Sequence, residues 1–483
     1  MRGAEKLGLH YQTSKDTTQP SYRPQENAIL QPGGTAGKTA DPNQLKYPQA
    51  TGCTFCGYCF QGCFEPQNAP RNLKAKRSTD NSYVPMALTA DKWMKGGKAV
   101  TLIPDAFVTR VNTAEEGGAV VAKSVTWRVG ATGEKHTEDG KVIVMAGGCT
   151  EDPRLWLNSD LPNPNGWVGR GYTDHFFDWL IGVMPFYTGN SKGVGSSARA
   201  DYPGYGGIEN VGLPPGLEGF SATFSDAGIR GAYGNGLART GPWDGMSGRL
   251  MGKELREVMS DIDRLLNVLV VTDDDVEAQN RVTLSSVFPA DEHGPVPKVT
   301  FRQRQRSQRT LKNREYLAKQ GAELLRAAGA TKVIRLDWPP LILHVQSSMR
   351  MGLSERDSVL DGNAEARWVK RLFVADNAAL ANGIGGPNPT LTSQAVATRT
   401  AEKIFQRYFG GDAWVGKEAP ISSIDDRVTS AVLGKPFGSL VRGVAVSPLP
   451  ATGGTEVPVV IGAAAAAAAL AASRLKRTVR DEA

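Results

Sequence analysis

Val142-Ile143-Val144-Met145-Ala146 is an uninterrupted apolar run that stops at Gly147-Gly148. A run with no polar alternation predicts a strand covered on both faces, the habit of parallel sheets flanked by helices. The glycine pair marks a tight turn, and a helix is predicted over Pro153 to Leu157. Upstream, KAVTLIPDAFVTRVNT and AVVAKSVTWRV meet at Gly117-Gly118 and predict a β-meander. Downstream, strands are predicted at Leu265 to Val271, Arg281 to Leu284 and in RLFVAD at 371–376. A helix opens at 310–312, repeats apolar Leu317, Leu324 and Leu325, and closes at Gly329, while another runs from Pro389 to Phe409. The fold class that follows is α/β, of mixed α+β character.

A chain of 483 residues is long enough for two or three domains, each with its own core. Its 55 glycines and 29 prolines exceed the usual share, which implies many turns and long connections. The net charge of +7 is spread along the whole chain rather than gathered on one face, so nucleic acid is not an expected partner. Arg302, Arg304, Arg306, Arg309 and Arg314 read as a solvated face. PGGTAGKT near the N-terminus has the look of a phosphate loop but carries Pro32 where glycine is required. The expected division is an irregular arm over 1–52, then 53–175, a segment of separate character over 176–340, a last ordered stretch over 341–410, a linker over 411–448 and a terminal element over 449–483.

Cys53, Cys56, Cys59 and Cys63 have the spacing C-x2-C-x2-C-x3-C, that of a bacterial iron-sulfur run except that Phe64 stands where proline usually follows. An iron-sulfur cluster, a zinc knot and a packed, partly disulfide-linked turn all remain open for these four residues. No apolar stretch at the N-terminus has the length of a secretory signal. At the other end Leu449-Pro450-Ala451-Thr452-Gly453, an apolar stretch from Val457 to Ala472 and the basic Arg474, Lys476, Arg477 and Arg480 resemble a sortase cell-wall sorting signal. That resemblance implies a sortase partner and a place at the cell envelope, wall-anchored or membrane-associated. An Ala-rich helix packed on a cytoplasmic protein is the plainer alternative.

HVQSSMRMG at 344–352 is followed by LFVADNAALANGIGGPNPTLT. Together with AGGCTEDPRLWLNS at 146–159 and WVGRGYTDHF at 167–176, these residues resemble the glucose-methanol-choline (GMC) flavoprotein oxidoreductases over about residues 50 to 408. The motif around His344 departs from the family pattern HPxGTCRMG at Val345, Ser347, Ser348 and Met349. The resemblance implies a GMC-type FAD-binding fold with an inserted substrate domain over 176–340. It also implies a GxGxxG segment for the ADP half of FAD, and none occurs here, so that half is expected upstream of Met1 or on a second polypeptide.

Removing a hydride from an alcohol requires a base for the hydroxyl proton and a donor to hold the same oxygen. His344 is the candidate base and Asn388 the candidate donor, the latter at a position where the family carries His or Asn. Pro389 suits a helix start, so Asn388, Pro389 and Thr390 would present free backbone donors to a bound flavin. By resemblance, Asp376 and Asn377 lie against the flavin phosphate and ribityl chain and Val108 at the adenine. His175 reads as a structural residue, and His10, His136 and His293 as surface residues. The expected activity is FAD-dependent oxidation of a CH-OH group on a sugar, polyol, sterol or other alcohol. Some relatives hold an iron-sulfur cluster in a cysteine segment at this place; a cluster here would make the enzyme a dehydrogenase passing electrons to a quinone or cytochrome. The rival reading is a catalytically silent, truncated, wall-attached binding protein.

Overall fold

The computed structural model describes residues 2–9, 25–26, 53, 55–57, 59, 79, 83–93, 96–202, 204–225, 240–302, 306–337 and 342–412. Cys63, His10, the linker beyond Asp412 and the sorting-signal stretch lie outside the described residues. Among the described residues no helix is long and apolar enough to cross a membrane.

Arg2–Lys6 (α1) opens the chain, where an irregular arm is expected from sequence. It docks because Gly3 is small: a Cβ there would lie 2.6 Å from the Leu324 carbonyl oxygen. Gln25–Glu26 (β1), Tyr83–Leu88 (α2) and Ala90–Trp93 (α3) are short. The predicted meander follows as Ala106–Glu116 (β2), Ala119–Val129 (β3) and Lys135–Asp139 (β4), an antiparallel sheet in the order β2-β3-β4.

The apolar run becomes Ile143–Met145 (β5). Ile143 and Met145 are buried, but Val144 is 46% exposed, so the strand is covered on one face rather than two. The reason lies in its surroundings: Val144 borders a cavity of about 310 Å³ that also reaches Val108 and Gly147. The helix after it, Gly148–Asn158 (α4), starts five residues earlier than the proline suggests, directly off the glycine turn, with Gly148 at φ +86° and Pro153 inside it. A left-handed φ at that junction is a conformation glycine adopts without steric cost.

The middle of the chain builds a larger sheet. Asp178–Val183 (β6), Ala198–Tyr202 (β7) and Gly206–Asn210 (β8) come first, then Pro215–Phe224 (α5) and Gly252–Ser260 (α6). Leu265–Thr272 (β9) follows, then Arg281–Leu284 (β10) with Pro297–Thr300 (β11), and Gln308–Ala328 (α7). Lys332–Arg335 (β12) completes it, giving the order β1-β7-β8-β9-β6-β12 with every pairing antiparallel. α7 is stopped as predicted, by Gly329 at φ +107°, and its N-cap is the Ser307 side chain, which accepts from the Thr310 N–H.

Leu372–Val374 (β13) pairs in parallel with β5, and Thr390–Phe409 (α8) closes the described chain. Among the described residues β5 and β13 form a two-stranded parallel pair, joined by residues more than 220 positions apart. Two cores result on opposite sides of the large sheet, one with Phe177, Trp179 and Ile181, the other with Leu180, Val268 and Leu317. A third, with Met145, Trp156, Met349 and Leu372, unites β5, β13 and the 344–352 loop.

One reading of the sequence is overturned here. Arg306 and Arg314 do not belong to a solvated face: both are buried, with side chains 0% and 1% exposed. Carboxylates make this tolerable, because Arg306 meets Asp274 at 3.5 Å and Glu277 at 3.9 Å, and Arg314 pairs with Asp337 and lies 3.6 Å from Asp178. Asp178 also takes both Nε and Nη2 of fully buried Arg335, at 2.8 and 2.5 Å.

Candidate active site

The chain enters β6 beside the loop that begins at His344. Thr173 N–H donates to the Gln346 carbonyl at 3.0 Å, and Gln346 N–H donates to the Thr173 carbonyl at 2.8 Å. This two-bond bridge sets His175 and His344 side by side on the two strands of a neck. Asp174 ties the second strand down: its Oδ1 accepts from His344 N–H at 2.8 Å and its Oδ2 from Leu343 N–H at 3.3 Å. Buried Arg306 donates to the Asp174 carbonyl at 2.5 Å, so the neck rests on a guanidinium. Burial pushes the Asp174 carboxyl up to about 7 and that of Asp274, beside the same arginine, up to about 6.

The His344 ring packs edge-on to Phe177 and to His175, with centroids 5.4 and 4.9 Å apart. Burial first, and the positive charge of Arg199 second, lower its pKa to about 4. The imidazole is therefore uncharged near neutrality and free to take a proton, as a base must be. The sequence reading of His175 as a structural residue understates its place: its Nδ1 is 2.8 Å from Nδ1 of His344.

Beyond His344 the motif runs beside the residues after β13. Ser347, Met349 and Met351 donate backbone N–H groups to the carbonyls of Asn377, Ala378 and Ala379 at 2.9 to 3.0 Å. Ser347 sits at φ +74°, fully buried, and its hydroxyl has no hydrogen-bond partner. It occupies the position at which the family pattern has glycine. A left-handed conformation costs a side-chain-bearing residue about 1–2 kcal/mol and an unpaired buried hydroxyl about 1–3, against about 0.5–1 for the extra freedom of an unfolded glycine. Ser347→Gly is thus expected to stabilise the protein by about 1 kcal/mol, read as a higher urea midpoint at unchanged slope; a lower midpoint would show that the loop carries no such strain.

Asp376 binds two backbone donors, Ala378 N–H through Oδ1 and Gly148 N–H through Oδ2, both at 2.7 Å. It thereby locks the end of β13 to the start of α4. The neighbouring Asp152 carboxyl is pushed up to about 9, by burial first and by Asp376 second. The Asn377 side chain accepts from Ser393 Oγ in α8. Asn388 and Thr390 are exposed while Pro389 is buried as the N-cap of α8, and no side chain caps that helix end. Its first-turn N–H groups stay available to an anion or a polar ring edge. Among the described residues no hydrogen bond joins Asn388 to His344; the Gly-rich turn before Asn388 reaches the histidines instead through its Gly383 carbonyl, 3.0 Å from His175 Nε2.

Val108 lines the cavity of about 310 Å³ together with Phe107, Met145, Gly147, Asn158 and His293. His293, a surface residue by sequence, stacks on Phe107 at 3.8 Å, and His136 stacks on Trp127. Asn158 Oδ1 and His293 Nδ1 are buried at this cavity without hydrogen-bond partners. A cavity beside Val108 with an apolar lining and unpaired polar atoms fits the flat, polar-edged adenine that the sequence reading assigns there.

The cysteine segment gives the iron-sulfur reading no support. Cys53 Sγ accepts from Phe55 N–H at 3.4 Å and Cys59 Sγ from Gly195 N–H at 3.1 Å. Among the described residues no group of three His, Cys, Asp or Glu side chains is placed to hold a metal ion.

The long-chain-alcohol oxidase FAO4B of Arabidopsis thaliana is 24% identical over 377 residues, which is 72% of this chain and 46% of that protein. The 2-methyl-1,2-propanediol dehydrogenase of Mycolicibacterium austroafricanum is 27% identical over 321 residues, 63% of this chain and 54% of that one. The chain spans about half the length of the curated relatives it matches. Among solved structures, pyridoxine 4-oxidase from Mesorbium loti matches at 18% identity and TM-score 0.38, covering 67% of this chain and 62% of its own. Two family models, both described as GMC oxidoreductase, match residues 2–177 and 276–397. The first ends two residues past His175 and the second contains His344, so the neck that pairs the histidines joins the two matched regions of a chain that belongs to the GMC oxidoreductase family.

Proposed function

We propose that this chain is an FAD-dependent oxidoreductase that oxidises the CH-OH group of a small alcohol, polyol or sugar. The reading is carried by one observation, a half-buried and uncharged His344 imidazole held at a bridge between two halves of the chain. The alcohol and diol activities in the names of the relatives support the substrate class.

FAD, when bound, would supply the two-electron acceptor for the hydride leaving the carbinol carbon. Val108 and the cavity beside it would hold the adenine, and Asp376, Asn377 and the α8 start at Pro389 and Thr390 would hold the phosphate and ring ends. His344 takes the hydroxyl proton as the C–H bond breaks. Its low basicity suits a site that charges only while an alcohol is being oxidised. The Asn388 amide holds the same oxygen and keeps it aimed at His344. The reducing equivalents leave to an external acceptor, for which a quinone is the natural chemical class when oxygen is not used.

The test is the visible spectrum of the full chain purified from its own host. Flavin bands that bleach on anaerobic addition of an alcohol are expected, with kcat/KM rising as pH passes through about 4 and level above it, because His344 must be unprotonated to act. A colourless protein with no alcohol-dependent reduction would overturn the reading in favour of a binding role.

A further inference from the structure

His175 Nε2 lies 3.0 Å from the Gly383 carbonyl oxygen, and its Nδ1 lies 2.8 Å from His344 Nδ1. A carbonyl only accepts, so the contact at Gly383 requires a proton on His175 Nε2. An imidazole that carries its proton on Nε2 and remains neutral has a bare Nδ1. The 2.8 Å contact between the rings then needs its proton from His344, which must be protonated on Nδ1. That leaves Nε2 of His344 as the bare nitrogen.

We propose that His175 is a positioning residue: it reads the Gly383 carbonyl and thereby fixes His344 in the tautomer whose Nε2 is the base. The assignment rests on the role of His344 given above, and it deepens that role by naming the nitrogen. His175 is fully buried, and burial, followed by the charge of His344, lowers its pKa to about 3, so it stays neutral throughout the working range. When His344 becomes an imidazolium its Nδ1–H still has the same acceptor, and no hydrogen bond is broken as the proton arrives. The competing arrangement has the Gln346 amide donating to a bare His175 Nε2. It is disfavoured by distance, since that contact is 3.4 Å, while a bare Nε2 would face the Gly383 oxygen lone pair to lone pair at 3.0 Å.

The connection has a mechanical side. Gly383 is pinned, because a Cβ there would lie 2.9 Å from the Asp274 carbonyl oxygen, and Asn388 follows five residues later. His175 therefore also couples the loop that carries the base to the loop that carries the oxygen-holding amide.

Nitrogen-15 spectroscopy of the histidine side chains tests this without substrate. The chain has five histidines, and His344→Gln identifies the resonance pair that belongs to His344. In the wild-type chain His344 should show a protonated Nδ1 and a bare Nε2. His175→Leu should invert or mix that pattern and lower kcat at least tenfold with little change in KM, while His175→Gln, whose amide can still donate to Gly383 and accept from His344, should restore both. A wild-type His344 protonated on Nε2 overturns the assignment, as does an unchanged pattern in a folded His175→Leu chain. If His175→Leu fails to fold, the wild-type spectrum alone decides. A protein with the expected nitrogen pattern but no alcohol oxidation would retire the enzymatic reading and leave the tautomer assignment standing.

Discussion

His344→Ala is expected to lower turnover on an alcohol by roughly 10²- to 10⁴-fold while the flavin stays bound. Every residue assigned to the flavin lies elsewhere: Val108 on β2, Asp376 and Asn377 after β13, Pro389 and Thr390 at the start of α8. On the proposed function the substitution removes the acceptor for the hydroxyl proton, which must otherwise go to water at a half-buried position. The backbone around it should hold, because Asp174 grips the N–H of residue 344 and not its ring. Flavin absorbance per chain and kcat, measured together, separate the two roles. Ordinary turnover in a flavin-loaded variant would remove His344 from the chemistry.

Asp178→Ala should be the costliest single change in the large sheet, about 3–5 kcal/mol. Asp178 is fully buried and accepts from Arg335 at Nε and Nη2 and from Trp179 N–H, with Arg314 3.6 Å away. Burial alone would lower the Arg335 pKa, and Asp178 with Glu315 more than offsets that, so the guanidinium is charged and its pairing is required. Alanine leaves two buried guanidinium groups sharing Glu315 and Asp337. The change strikes where β6 and β12 pair, directly below the neck. Urea denaturation checks it; a loss under 1 kcal/mol would mean that the remaining carboxylates neutralise both arginines unaided.

The elements were legible where their signal is local. The meander, the strand at Arg281–Leu284, the Gly329 stop and the start of α8 follow from turn chemistry and periodicity within a dozen residues. His344 was legible because its loop carries an extended motif. His175 was not, because the partner that gives it a role is 169 residues away and periodicity reports a face, never a long-range pairing. Arg306 and Arg314 misled for the same reason: a basic run reads as solvated until the carboxylates of Asp274, Asp178 and Asp337 fold over it. Proline 153 misled differently, since a proline most often opens a helix and here sits within one.

The two-bond bridge between Thr173 and Gln346 fixes the spacing of the two rings at the ends of a long stretch of chain. Whatever the chain does between those residues, it must return to the same pair of peptide groups, and the two histidines stand on the near side of or at that return. The loop 186–197 lies away from that pair and can therefore lengthen, shorten or be exchanged with that of a related chain without altering the distance between the rings. On the proposed function, specificity would be free to drift while the two histidines stayed at a constant gauge. Grafting that loop, rather than substituting around His344, is the economical route to new substrates on this scaffold.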